Sequence, residues 1–248
     1  MIVIKSPLEL DAMRRVNRIT ARVRDELAAM VRPGITTLDL GNAAFELIRE
    51  FGGTSAFYGY HGFPGQICVS VNEEVVHGIP GKRVIREGDI VSIDTGVTVG
   101  GFIGDTAVTV AVGEISDGKK KLLEATRAAL MAGVAKAVVG NRLGDISHAI
   151  QTVVEAAGFS VVREFVGHGI GRDMHEDPQI PNFGKPRRGP VLKAGMTLAI
   201  EPMVNIGGAK VEILDDKWTV VTKDGTASAH FEHTVAVGLL APEILTLP

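Results

Sequence analysis

The chain repeats itself at long range. The stretch PGITTLDLGNAAFELIREFGG (33–53) aligns in register with VGNRLGDISHAIQTVVEAAGF (139–159), setting Asp39 over Asp145 and Ala43 over Ala149. REGDIVSIDTG (86–96) aligns with KAGMTLAIEPM (193–203), setting Asp94 over Glu201. The offsets are 106 and 107 residues, so the same plan is used twice. A chain of 248 residues is long enough for one large domain or two small ones. The repeat points to a single catalytic-sized domain, 1–248, built from two similar halves of about 1–112 and 113–248 around a shared core.

Each half reads as helices followed by strands. Ser6-Pro7-Leu8-Glu9 is a capping box with proline in the first helical turn. Met13, Val16, Ile19, Val23, Leu27 and Met30 then form one apolar stripe, stopped by Pro33-Gly34. A second helix is expected from Thr36 or Thr37 to Gly52-Gly53, and strands over 67–71, 90–97 and 102–112, where β-branched residues alternate. The second half gives helices over 117–139 and from about Asp145 to Gly158. Strands are expected after them over 161–164, 196–204, 211–214, 218–222 and 229–237. Helices then antiparallel strands, twice over, predict an α+β fold and not a wound parallel sheet.

Carboxylates stand where apolar strands should exclude them. Asp94 lies inside IVSIDTGV and Asp105 near the start of the next strand. A turn at Val99-Gly100 would set these two aspartates directly opposite each other on one face, a destabilising arrangement if both were charged and alone. Taken singly, each could be a solvent-facing polar residue of an alternating strand. Glu201 in TLAIEPMV, at the repeat equivalent of Asp94, and Glu232 in AHFEHTVAV change the balance. Four carboxylates with apolar flanks, two from each half, would bring four negative charges into one cleft. Two divalent cations would neutralise them, and oxygen-rich sites suit hard or borderline metals.

The stretch FVGHGIGRDMHEDP (165–178) supplies an imidazole. Its glycines at 167, 169 and 171 suggest a phosphate cradle, but that requires a helix to follow, and 174–186 carries three prolines and no helical period. His168 is the candidate fifth ligand, because flanking glycines let the backbone approach a crowded centre. Four carboxylates and one imidazole make a plausible dinuclear site, with metals about 3.5–4 Å apart and a bridging water made nucleophilic. His61, His148, His230 and His233 read as ordinary hydrogen-bonded surface or core residues.

These residues together resemble a family. SVNEEVVHGIP (70–80), Asp94 and Asp105, GHGIGRDMHEDP (167–178), AIEPMV (199–204) and FEHTVAV (231–237) occur in the order and spacing of type I methionine aminopeptidases. The resemblance covers nearly the whole chain. It implies the pita-bread fold, a pseudo-two-fold antiparallel sheet covered by two pairs of helices. It also implies metal ligands at Asp94, Asp105, His168, Glu201 and Glu232, with Asp105 and Glu232 bridging two divalent ions, cobalt, manganese, iron(II) or zinc. His77 and His175 would contact substrate, the latter near the scissile carbonyl, and Glu201 would carry a proton for the bridging metal-bound water or hydroxide. Phe57, Tyr60, Phe63, Cys68, Met174 and Trp218 would form the methionine pocket, where apolar and sulfur-tolerant side chains suit a thioether.

The implied activity is removal of N-terminal methionine from nascent chains, met at the ribosome, when the second residue is small. Glu201 and Glu232 are 31 residues apart, leaving no room for the long insertion that marks the type II enzymes. Prolidases and aminopeptidase P, which share the catalytic half, usually carry a further N-terminal domain. Non-catalytic relatives such as histone chaperones tend to lose ligands, and all five are present here. A net charge of −3 argues against a dedicated nucleic-acid binder. The single cysteine, Cys68, excludes an intrachain disulfide and fits a reducing compartment. The opening MIVIKSPLELDAMRR lacks a signal-peptide core, and no apolar run approaches a membrane span. A cytoplasmic monomer is the expectation.

Overall fold

Capping starts the helices where the sequence signals them. In the computed structural model, which describes residues 1–247, helix α1 runs Pro7–Met30. Pro248, at the end of the second half, lies outside the described residues. The Ser6 hydroxyl accepts the Glu9 amide and the Glu9 carboxylate accepts the Ser6 amide. Thr36 and Asp39 make the same reciprocal pair at the head of α2 (Thr37–Glu50). Ser116 caps α3 (Asp117–Val134), and the Asp145 carboxylate accepts the Arg142 amide at the start of α4 (Leu143–Ala156). Asp145 therefore sits in the first turn, so α4 begins two residues before the expected position. α3 stops five residues short of Val139, because a tight turn over 135–138 swings Val138 into a bridge with Gly238.

The strands are β1 (Thr54–Ser55), β2 (Cys68–Val71), β3 (Glu74–Val76), β4 (Ile90–Val99) and β5 (Phe102–Ala111) in the first half. The second half holds β6 (Ser160–Val161), β7 (Gly167–Gly169), β8 (Glu176–Ile180), β9 (Thr197–Ile200), β10 (Met203–Asn205), β11 (Val211–Ile213), β12 (Val220–Thr222), β13 (Ser228–His230), β14 (His233–Ala236) and β15 (Glu243–Ile244). Every named pairing is antiparallel. α1 packs on β4 and β5, with α2 against α1, β1 and β2. α3 covers β9, β10, β13 and β14, and α4 packs on α3, β6 and β8. Val23, Leu27, Leu40, Ile67 and Ile93 fill the first-half core, and Leu122, Leu130, Ile146, Ile150, Leu198 and Val235 the second.

The sequence repeat is a structural one. Gly34 N donates to Ile85 O, and Gly140 N donates to Leu192 O. Thr37 N to Arg83 O is matched by Leu143 N to Pro190 O, and the bridge Thr36–Val84 by Arg142–Val191. These partners differ by the same 106 and 107 residues as the sequence repeat. The halves meet along β5, where Ala107 O accepts the Glu232 amide, the Thr109 hydroxyl accepts the His230 amide, and Thr234 Oγ1 donates to Asp105 O.

Two features differ from the sequence reading in ways that shape the site. First, β4 and β5 pair Val99 with Phe102, so Asp94 faces Ala107 and Asp105 faces Gly96. The turn is a two-residue Gly100-Gly101 loop with φ of 60° and 76°, a conformation that glycine pairs adopt freely. Asp94 and Asp105 are consequently diagonal neighbours on one face, not direct partners. Second, the expected strands 196–204 and 229–237 are each interrupted, at Glu201-Pro202 and at Phe231-Glu232. Proline has no amide for the ladder, which ends regular pairing at 202. The register resumes unchanged, with His233 opposite Ile200 and Met203 opposite His230. Residues 174–186, which carry three prolines and no helical period, contain β8, an edge strand in which Pro178 is tolerated.

Candidate metal centre

Five side chains converge at the seam between the halves. β4 carries Asp94, β5 Asp105, β7 His168, and the two strand interruptions Glu201 and Glu232. Asp105, His168 and Glu232 are buried, and one ligand-capable atom from each lies within 4.8 Å of the others. His168 Nε2 stands 3.7 Å from Asp105 Oδ2 and 3.5 Å from Glu201 Oε1. Those separations are longer than good hydrogen bonds, so the atoms surround a common space without satisfying one another. Asp94 Oδ1, Asp105 Oδ1 and Glu232 Oε1 are buried with no hydrogen-bond partner. Unpartnered buried carboxylate oxygens are costly, and an oxygen-rich set with one imidazole fits a divalent cation.

Electrostatics agree with that fit. Burial pushes Asp94, Asp105, Glu201 and Glu232 well above the ordinary carboxylate range, and for Asp105 and Glu232 the neighbouring acids push further. A cation among them would reverse this and hold them ionised. Burial drives His168 down to about 3 and His77 to about 4, leaving both neutral at physiological pH. His168 Nδ1 lies 3.0 Å from Gly169 O, so the proton belongs there and Nε2 presents its lone pair to the centre. The glycines around His168 serve a different approach from the one expected. A Cβ at Gly167 would come within 2.4 Å of Ala199 O and one at Gly169 within 2.1 Å of Asp177 O, so they let β7 fit between β9 and β8.

Beside the carboxylates lies a cavity of about 330 Å³. Phe57, Tyr60, Phe63, Cys68, Met174 and Trp218 all line it, as do His77 and His175. Phe63 and Trp218 meet edge to face at 5.1 Å. His77 sits at φ 60°, its ring edge-on to Phe165 at 5.5 Å. His175 is held by the Tyr60 hydroxyl, 2.7 Å from Nδ1, and its ring centroid is 4.3 Å from that of His168. Burial, then His61, lowers the basicity of His175. The phosphate-cradle alternative fails here, because β7 leads into β8 and no helix follows.

Two histidines read as ordinary from the sequence belong to this neighbourhood. His230, on β13, is buried with Nε2 unpartnered and 3.6 Å from Glu201 Oε2. Its position two residues before Glu232 was the available signal. His61 lines the mouth of the cavity, edge-on to Tyr60 at 4.4 Å. His148 is exposed on α4, and His233 bonds Thr246 Oγ1 at 2.8 Å; neither lines the cavity.

The family model described as metallopeptidase family M24 matches residues 11–238. The chain is 56% identical over 246 residues to methionine aminopeptidase 1 of Bacillus subtilis, covering 99% of each. It is 50% identical to methionine aminopeptidase 1 of Mycobacterium tuberculosis, covering 98% of this chain and 94% of the relative. The crystal structure of methionine aminopeptidase from Thermotoga maritima superposes with a TM-score of 0.98 at 47% identity, each chain covered in full. A Xaa-Pro dipeptidase from Bacillus anthracis shares the fold at a TM-score of 0.80 and 23% identity, with 62% of that chain covered. The α+β architecture is the pita-bread arrangement of these proteins.

Proposed function

The chain belongs to metallopeptidase family M24, and on that premise we propose that it is a type I methionine aminopeptidase. It is a metal-dependent hydrolase that removes N-terminal methionine. The observation that carries this reading is the meeting of Asp105, His168 and Glu232, buried and within 4.8 Å, at the end of an apolar cavity. Asp94, Asp105, His168, Glu201 and Glu232 would hold two divalent ions. Bound there, the ions would supply Lewis acidity that polarises a peptide carbonyl and acidifies water.

The chain's own side chains do the remainder. Glu201 takes the proton of the attacking water and passes it to the departing amine. In this reading the Tyr60 hydroxyl is the donor to Nδ1, 2.7 Å away, so His175 keeps its proton on Nε2 and offers a hydrogen bond to the carbonyl oxygen, where charge develops. His77, which lines the same cavity, contacts the substrate. Phe57, Tyr60, Phe63, Cys68, Met174 and Trp218 enclose the methionine side chain, a largely apolar and polarizable pocket for a thioether.

The substrates are the N-termini of nascent chains, met at the ribosome, with a small second residue because a bulky one would collide with the floor of the centre. We read the two halves as a single catalytic domain acting as a cytoplasmic monomer. No helix among the described residues is long and apolar enough to cross a membrane. Hydrolysis of Met-Ala-Ser set against an X-Pro dipeptide tests the reading, since a preference for the dipeptide would place the chain with the prolidases instead.

A further inference from the structure

A lysine ahead of the first helix is buried against the loop that carries His175. Lys5 Nζ pairs with the Glu176 carboxylate, and the two side chains are only 2% and 7% exposed. The other Glu176 oxygen accepts the Arg172 amide at 3.0 Å. One carboxylate thus closes the loop 172–176, whose Met174 and His175 both line the cavity. Lys5 is itself anchored, its amide donating to Gly195 O at 2.8 Å. Space under the loop is filled: a Cβ at Gly171 would stand 2.4 Å from Glu176 Oε1 and 2.6 Å from Lys5 Cε. Glu176 also opens β8, paired with Gly169 beside His168.

Burying an ion pair generally gains little stability, because desolvation offsets the attraction. Lysine is also among the residues least often buried. The pair makes sense if what it provides is a fixed location. We propose that Lys5 and Glu176 are positioning residues that hold His175 at the distance and angle at which it meets the substrate carbonyl. This rests on the reading of His175 as a substrate-side donor. A strand-end carboxylate pinned from two directions leaves the adjacent histidine little freedom, and a displacement of about 1 Å at such a group can cost on the order of 10²-fold in rate.

Lys5→Met, Glu176→Gln, the double variant and His175→Ala should be compared for kcat and KM on Met-Ala-Ser, bound metal and Tm. Glu176→Gln keeps an acceptor for the Arg172 amide and removes the charge. Each single variant should lower kcat by about 10–100-fold, with KM within about twofold and bound metal unchanged. Lys5→Met should also lower Tm, because it leaves a buried carboxylate alone. The double variant should recover Tm while kcat stays low, a split that a purely structural role would not give. Recovery of kcat together with Tm, wild-type kcat throughout, or loss of metal would overturn the proposal if His175→Ala is impaired. Normal turnover in His175→Ala would instead remove the reading on which it rests.

Discussion

Glu201 and Glu232 stand opposite each other across a gap that interrupts both of their strands. The pairing on either side, Ile200 with His233 and Met203 with His230, keeps one register through the gap. Phe231 N reaches Pro202 O at 3.4 Å within it. Asp94 and Asp105 hold the related places on β4 and β5, but in an unbroken ladder and offset diagonally. The pseudo-two-fold repeat therefore brings two pairs of acids to one seam with different backbone support.

The two buried acids proposed as shared ligands, Asp105 and Glu232, should trade metal for stability. Asp105→Ala and Glu232→Ala are expected to lose bound metal and activity together, measured by elemental analysis and Met-Ala-Ser hydrolysis. Because the acids are buried, unpartnered and mutually repulsive without a cation, the metal-free variants should be no less stable than metal-free wild type. Full metal content and turnover in Asp105→Ala would contradict the dinuclear centre.

The same acids set a pH dependence with a definite sign. Their folded-state pKa values lie above the ordinary value of about 4, so the metal-free folded protein holds protons that the unfolded chain releases. Their contribution to stability is complete below about pH 4 and is lost as pH rises from there through neutrality. The buried histidines, lowered in the folded state, work the other way below their ordinary range near 6.5. The difference in Tm between metal-free wild type and Asp105→Ala isolates the acids: wild type should lose relative stability between about pH 5 and 8. Saturating metal should abolish that trend and release protons on binding, detectable by titration calorimetry in buffers of different ionisation enthalpy.

The two histidines of 165–178 should fail differently when removed. His168→Ala should lose metal and activity with it. His175→Ala should keep metal and lower kcat by about 10²–10³-fold, the cost of a lost donor at a developing oxyanion. Unchanged metal in His168→Ala, or lost metal in His175→Ala, would reverse the roles.

His230 gives a further expectation. Its unpartnered Nε2 faces Glu201 at 3.6 Å, so His230→Leu should perturb Glu201, the proposed proton carrier, without removing any of the five proposed ligands. We expect kcat to fall about tenfold with metal retained, and the loss to be smaller in His230→Gln, which keeps a donor. Equal activity in all three proteins would assign His230 to packing alone.

Much of this arrangement was legible in residues, and the gaps have physical causes. The repeat was visible because capping residues and strand-starting turns recur at fixed separation, as Asp39 and Asp145 do. The register of β4 and β5 was misplaced by two residues because turn geometry depends on which glycines take positive φ, and Gly100 and Gly101 both do. β7 and β8 were missed because Gly167, Gly169 and Pro178 have poor strand propensity; close packing between neighbours holds them there. Strand interruption at Glu232 carries no proline, so it could not be read locally. His230 reads as ordinary when taken alone, and only its place two residues before Glu232, on the same face of an extended segment, points to the centre.

Selectivity at the second residue should follow from the size of the space beside the carboxylates. Met-Ala-Ser is expected to be cleaved far faster than Met-Lys-Ser, judged by kcat/KM with released methionine as the readout. Equal values for the two peptides would contradict a constraint imposed by the floor of the centre.

Methionine release by chelator-treated protein, followed as a divalent cation is added back, tests the central claim most directly. The expected result is no release from Met-Ala-Ser without metal, and recovery that saturates as the Asp94, Asp105, His168, Glu201 and Glu232 centre fills, at no more than two ions per chain. Undiminished release from protein shown to be free of metal would contradict it.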